Sequence, residues 1–111
     1  VIDTGKIFIH QPLAPKYPKW ITLILYKDDS IIWTIDLTFK STLLDNLYDA
    51  LYLGLKQANK LSIKNLIVKT KKILINEFQT YSSAIPKLKL YYNIKLLMNQ
   101  FNNFEFIGLD D

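Results

Sequence analysis

Leu47-Tyr48-Asp49-Ala50-Leu51-Tyr52-Leu53-Gly54-Leu55-Lys56-Gln57-Ala58 carries the clearest periodicity in the chain. With Leu44 added in front, Leu44, Leu47, Tyr48, Leu51, Leu55 and Ala58 recur every three or four residues. Asp45, Asp49, Lys56, Asn59 and Lys60 take the other faces. That spacing draws one apolar stripe along an α-helix. Ser41 or Thr42 offers a capping hydroxyl at its start. Gly54 falls mid-helix, where glycine costs about 1 kcal/mol against alanine, so close packing of this helix on a sheet is the expected compensation.

Before the helix the period changes from helical to alternating. Residues 6–10 read as a first strand. Residues 11–19 hold Pro12, Pro15 and Pro18, each of which removes a donor and fixes φ, so they read as an extended loop. Residues 20–26 and 31–38 are β-rich and joined by the polar turn 27–30, which makes an antiparallel hairpin. After the helix, 65–69 returns to strand and 71–79 to a short helix, and a polar loop over 80–85 closes on Pro86. A second long helix over 87–102 bears Leu88, Tyr91, Ile94, Leu97, Met98 and Phe101 on its apolar side, and 103–107 is a last strand. The order β-β-β-α-β-α-α-β implies a mixed five-stranded α/β sheet, antiparallel strands followed by parallel ones reached through right-handed crossovers.

The 111 residues suffice for one core, and half are hydrophobic, so the chain reads as a single domain, 1–111, complete or cut from a longer protein. The absence of cysteine excludes disulfides, thiolate catalysis and cysteine metal sites, and fits an intracellular protein. His10 is the only histidine, so no His-based zinc site or Ser-His-Asp triad can form. No cofactor is expected. All fourteen basic residues are lysine and the net charge is +4. Lysine is a point charge without the planar fork of arginine, so base readout through arginine is excluded and unspecific phosphate contact is not. Isoleucine, leucine, lysine and asparagine fill about half the chain, and the codon bias of an AT-rich genome is the simpler account of the lysines. No apolar run approaches the ~20 residues of a membrane span, and no signal peptide opens the chain.

At residues 47–58 the sequence resembles the first helix of the ribonuclease H-like family, in its reverse-transcriptase-like branch. The resemblance continues through Ile63-Lys64-Asn65-Leu66-Ile67-Val68-Lys69, Leu74-Ile75-Asn76-Glu77-Phe78 and Pro86-Lys87-Leu88-Lys89-Leu90-Tyr91-Tyr92. It ends at Phe101-Asn102-Asn103-Phe104-Glu105-Phe106-Ile107. It implies a ribonuclease H-like sheet with helices packed on it and a final helix beyond Asp111. It also implies two divalent ions held by carboxylates for phosphodiester cleavage. The carboxylate positions fall on His10, Leu47 and Lys71, the last followed by Lys72, and the turn after the first strand is replaced by the proline loop.

Leucine cannot ligate a metal and an ammonium repels one. The expectation is therefore a domain that is not an enzyme. Its expected role is structural or protein-interacting, inside a larger and nucleic-acid-associated assembly. Phe106, Ile107, Leu109 and Tyr92 would meet the partner. One alternative is a nucleic-acid-binding module that ignores sequence, with Lys71, Lys72, Lys16, Lys19 and His10 as its contacts to RNA or DNA. Another is an active metal-dependent nuclease with carboxylates relocated to Asp28, Asp29 or Glu77. Asp28-Asp29 reads more simply as a turn, Asp110-Asp111 as solvated, and Trp20 and Trp33 as core or sheet-face packing. Tyr91 should point into the core and Tyr92 outward.

Overall fold

A computed structural model describes residues 4–10, 20–38, 42–79 and 88–109, with only the backbone for Leu43 and Leu88. The elements are β1 (Thr4–His10), β2 (Trp20–Lys27), β3 (Ser30–Thr38), α1 (Leu43–Lys60), β4 (Asn65–Lys71), α2 (Lys72–Gln79), α3 (Leu88–Met98) and β5 (Asn103–Leu109). One sheet holds all five strands in the order β3-β2-β1-β4-β5. β2 is antiparallel to both β3 and β1, and β4 is parallel to both β1 and β5. This is the mixed sheet that the element order implied. The two proline-containing loops fall outside the described residues.

The hairpin turn is tighter than the expected four residues. Lys27 pairs with Ser30, leaving Asp28 and Asp29 as a two-residue loop with φ of 50° and 67°. Both are left-handed, the geometry whose twist matches flanking strands, and aspartate tolerates it better than most residues. Of the two candidate hydroxyls, Thr42 caps α1, its Oγ1 accepting from the Asp45 amide at 3.2 Å. Ser41 lies outside the described residues. At the other end, Ser62 takes φ 61°; its amide donates to Asn59 O, and the Ile63 amide donates to Ala58 O. This double bond closes the helix as a Schellman motif does, with serine where glycine is usual.

Alternation along the strands divides the sheet into two faces. Gly5, Ile7 and Ile9 are buried on β1, Ile21, Leu23 and Leu25 on β2, and Leu66, Val68 and Thr70 on β4. The core residues of α1 and α3, among them Leu51, Leu55, Tyr91 and Ile94, pack against that side. Gly54 does lie on the sheet: a Cβ there would stand 3.1 Å from Ile7 Cδ1 and 3.4 Å from Leu23 Cδ1. Trp33 packs on the core from β3, whereas Trp20 at the start of β2 is exposed. Tyr91 is buried and Tyr92 exposed, as the spacing required.

Several boundaries differ from expectation: β1 begins at Thr4, β4 runs on to Lys71 and β5 to Leu109. Lys71 is the last residue of β4, paired with Leu109, and not the first of a helix. α3 stops at Met98 instead of running to residue 102, because the Asn102 amide donates to Lys64 O at 2.8 Å and draws the chain into β5. Phe101 stays buried beyond the helix end, its ring 6.2 Å from that of Phe104.

Tyr48 is buried in this core with its ring 5.6 Å from that of Phe78, and its hydroxyl has no hydrogen-bond partner among the described residues. Burial, and then the charge of Glu77, push the phenol up to about 12 from 10.0. A folded-state value above the unfolded one means a contribution fully present below pH 10 and lost as pH rises through about 12. Tyr48→Phe should remove that alkaline loss. It should also raise stability at neutral pH by about 1 kcal/mol, since an unpaired buried hydroxyl costs roughly 1–3 kcal/mol. Urea unfolding at pH 7 and above pH 10 reads both; a clear loss of stability at pH 7 would show that the hydroxyl has a partner.

Candidate functional site

Open sheets with parallel strands present ligands at the carboxyl ends of those strands, where helix connections leave the sheet. Here β1 ends at His10, β4 at Lys71 and β5 at Leu109. Phe8 pairs with Lys69, so two residues further on each strand His10 and Lys71 reach the same level, and Lys71 pairs with Leu109. The three strands therefore end at the same edge of the sheet. α2 begins at the next residue, Lys72, with no acidic residue in its first turn, so its amino end adds positive potential at this edge.

Lys72 is exposed, and its stem lies on β5: a Cβ on Gly108 would stand 2.7 Å from Lys72 Cγ. Glycine at this point lets a long side chain run flat over the strand. Lys71 is half-buried, and His10 is exposed with its ring 5.5 Å from that of Phe8. Leu47 behaves differently. It is 1% exposed and belongs to the core cluster, so it does not face the edge as an open contact.

An imidazole, a buried aliphatic side chain and two ammonium groups do not fit a divalent cation. Among the described residues no group of three or more histidine, aspartate or glutamate side chains is arranged to hold a metal. Asp36 on β3 and Asp49 on α1 line a hollow of about 430 Å³ with Thr38, Asn46 and Tyr52. Asp36 Oδ1 accepts from Thr22 Oγ1 at 2.8 Å. Sequence reasoning missed this hollow, which lies between β3 and α1, elements that no local pattern connects. Asp28 and Asp29 stand at the far, amino edge of the sheet beside Thr4, Lys6 and Tyr26, and Glu77 lies on α2 near Tyr48.

Lys16 and Lys19 lie outside the described residues, as do Asp110 and Asp111. The four residues assigned to a partner do not share one patch. Phe106 packs on the helix side, its ring 5.0 Å from Phe104 and 5.9 Å from Phe78. Ile107 and Leu109 alternate to the opposite side of β5, and Tyr92 is exposed on α3. No helix among the described residues is long and apolar enough to cross a membrane.

No family model and no curated protein matches the sequence. Solved structures do resemble it. RNase H1 from the halophilic archaeon Halobacterium salinarum NRC-1 superposes with a TM-score of 0.71 at 14% identity, covering 98% of this chain and 86% of that one. The N-terminal RNase H domain of a Mycobacterium tuberculosis protein gives 0.73 at 16% identity, with 96% and 83% covered. LC11-RNase H1, solved in complex with an RNA/DNA hybrid, gives 0.72 at 15% identity, with 95% and 84% covered.

The fold is ribonuclease H-like. That part of the sequence resemblance holds. The expectation that the chain is not an enzyme does not stand, because the structures that share its ribonuclease H fold are RNase H enzymes. Side chains that cannot ligate a metal at three positions argue against one metal site and not against every activity.

Proposed function

We propose that this ribonuclease H-like domain holds the sugar–phosphate backbone of a nucleic-acid duplex, an RNA/DNA hybrid in the first instance. The contact is made by Lys71, Lys72 and His10 and does not read sequence. The observation that carries this reading is that β1 and β4, paired as far as Phe8 and Lys69, end two residues further on at His10 and Lys71, with Lys72 laid over Gly108 of β5. The RNA/DNA hybrid in the LC11-RNase H1 structure supports hybrid as the ligand. Lysine ammonium groups attract phosphate without discriminating bases, so position and not sequence is what they set. Lys16 and Lys19 join the same reading by their place in the sequence after β1 alone. The helix motif of residues 47–58 favours the reverse-transcriptase-like branch.

A second reading is a protein-interaction module within a larger nucleic-acid-associated assembly, which the exposure of Tyr92 and Ile107 favours.

Salt dependence tests the first reading. Each phosphate neutralised on a duplex contributes a slope of about −0.9 in log affinity against log salt, so two or three contacts give roughly −2 to −3. Anisotropy titration of a labelled hybrid at several salt concentrations measures it, and hybrids of unrelated sequence should superimpose. A salt-independent affinity would contradict the reading.

A further inference from the structure

The two edges of the sheet are built differently. β5 carries Glu105, is interrupted by Gly108 and has the stem of Lys72 across it. Charges and interruptions of this kind keep an edge strand from pairing with another chain. β3, at the other edge, has no lysine, proline or glycine over Ser30–Thr38 and one charged residue, Asp36. Among the described residues it pairs only with β2, so its outer row of N–H and C=O groups is open. Ile31, Ile32 and Ile35 are 59%, 41% and 38% exposed.

A register shift sets Leu25 against Trp33 and Tyr26 against Ile31, which leaves Ile32 as the extra residue of a bulge. A bulge bends its strand, so the regular part of this edge is residues 33–38. The two sides of that segment differ. Trp33, Ile35 and Leu37 stand opposite the buried Leu25, Leu23 and Ile21 and so lie on the helix side. Thr34 and Asp36 lie on the other side, where Asp36 accepts from Thr22. α1 leaves part of the helix side uncovered: Ile35 and Leu53 are exposed, and Leu37, Tyr52 and Leu53 line the hollow of about 430 Å³.

We propose that β3 pairs antiparallel with β3 of a second copy about a two-fold axis at Ile35, joining two sheets edge to edge. Such an axis stands normal to the sheet and keeps every side chain on its own face, so residues meet only at centres that fall on a residue. Centring on Asp36 sets two carboxylates face to face. Centring on Thr34 sets Asp36 against the bulged Ile32. Centring on Ile35 sorts the edge by chemistry: Ile35 meets Ile35, Trp33 meets Leu37 twice, and Asp36 meets a Thr34 hydroxyl twice. Matched pairs directly opposite stabilise an antiparallel ladder, and like charges there destabilise it. The same register stands Trp33 of the second copy opposite Leu37, at the hollow that Leu37, Tyr52 and Leu53 line. Each chain offers one such edge, so the assembly closes at two copies. A helix following β5 would leave from the opposite edge; laid on the sheet it covers side chains and not the in-plane row of β3. The pairing uses none of His10, Lys71 and Lys72, and stands or falls apart from the duplex contact.

Sedimentation velocity of the unmodified protein, from micromolar to near-millimolar concentration, should show monomer passing to dimer and nothing larger. Substitutions at position 34 then read the register. Thr34 is exposed, so its variants should keep the parent circular dichroism spectrum. Thr34→Asp sets a carboxylate opposite Asp36 of the second copy, twice per dimer, and should weaken it by about 2- to 30-fold. Thr34→Lys sets an ammonium group there and should tighten the dimer by a similar factor. Adding Asp36→Asn to Thr34→Asp should restore the parent value. Ile35→Lys brings two ammonium groups together on the axis and should leave monomer throughout, with hybrid binding per chain within about twofold of the parent. Monomer alone in the parent at every concentration would overturn the proposal. So would a dimer that Thr34→Asp and Thr34→Lys shift in the same direction.

Discussion

Reversing both charges at the strand ends, Lys71→Glu with Lys72→Glu, is expected to weaken hybrid binding by about 10- to 100-fold at ~0.1 M salt. Each phosphate contact with a slope near −0.9 contributes a little under tenfold at that concentration, relative to ~1 M, and the pair supplies two. The same change should lower the magnitude of the salt slope by about 1 to 2. The loss should be uniform across sequences, since the contacts position the duplex and do not read it. Stability should hardly move: Lys72 is exposed and Lys71 is half-buried at a strand end, and surface substitutions usually stay within about 0.5 kcal/mol. Binding titrations beside a thermal melt separate the two effects. An unchanged slope in a folded variant would mean that the backbone lies elsewhere on the molecule.

Gly54→Leu should destabilise the domain by about 1–3 kcal/mol, because added methylenes in a packed interface force neighbours off their preferred rotamers. The space for them is absent. A first carbon at Gly54 would already stand 3.1 Å from Ile7 and 3.4 Å from Leu23, and both side chains are fully buried in the centre of the sheet. Gly54→Ala is the informative control. It gains about 1 kcal/mol of helix propensity and asks only for a shift of a few tenths of an ångström at the tip of Ile7, so it should be close to neutral. With roughly 4–8 °C of melting temperature per kcal/mol at this size, the leucine variant is distinguished in one scan. A leucine variant as stable as the parent would mean that α1 does not dock at Gly54.

Much of this arrangement was legible because the determining information was local. The stripe from Leu44 to Ala58 specifies α1 and its buried side, and the Gly54 gap in that stripe already pointed to the sheet. Alternation in β1 and β2 separated Ile7 and Leu23 from Phe8 and Ile24. The misplaced boundaries were those decided by residues distant in sequence. Leu74, Ile75 and Phe78 announce a helix, and nothing near Lys71 says that pairing with Leu109 keeps it in the strand. The heptad-like run through Phe101 announces a longer α3, and only the carbonyl of Lys64 ends it.

The candidate site was legible to the same extent. Lys71 and Lys72 close an apolar strand, so their location at its carboxyl end could be read directly. Leu47 could be read as a position without a metal ligand, but its burial in the core needed the packing of α1. Which face of the sheet the described helices cover depends on the handedness of the crossovers and on α3. The hollow between Asp36 and Asp49 likewise joins elements that no local pattern connects.

The backbone amides of His10, Lys71, Lys72 and Gly108 give the most direct test, read by two-dimensional NMR of labelled protein titrated with an RNA/DNA hybrid. If the duplex lies across the carboxyl ends of β1 and β4, these resonances should shift together and saturate with the affinity seen by anisotropy. Asp28, Asp29 and Asn65 at the amino edge should stay still. Shifts confined to that amino edge, or to the hollow between Asp36 and Asp49, with His10, Lys71 and Lys72 unmoved, would contradict the assignment of the site.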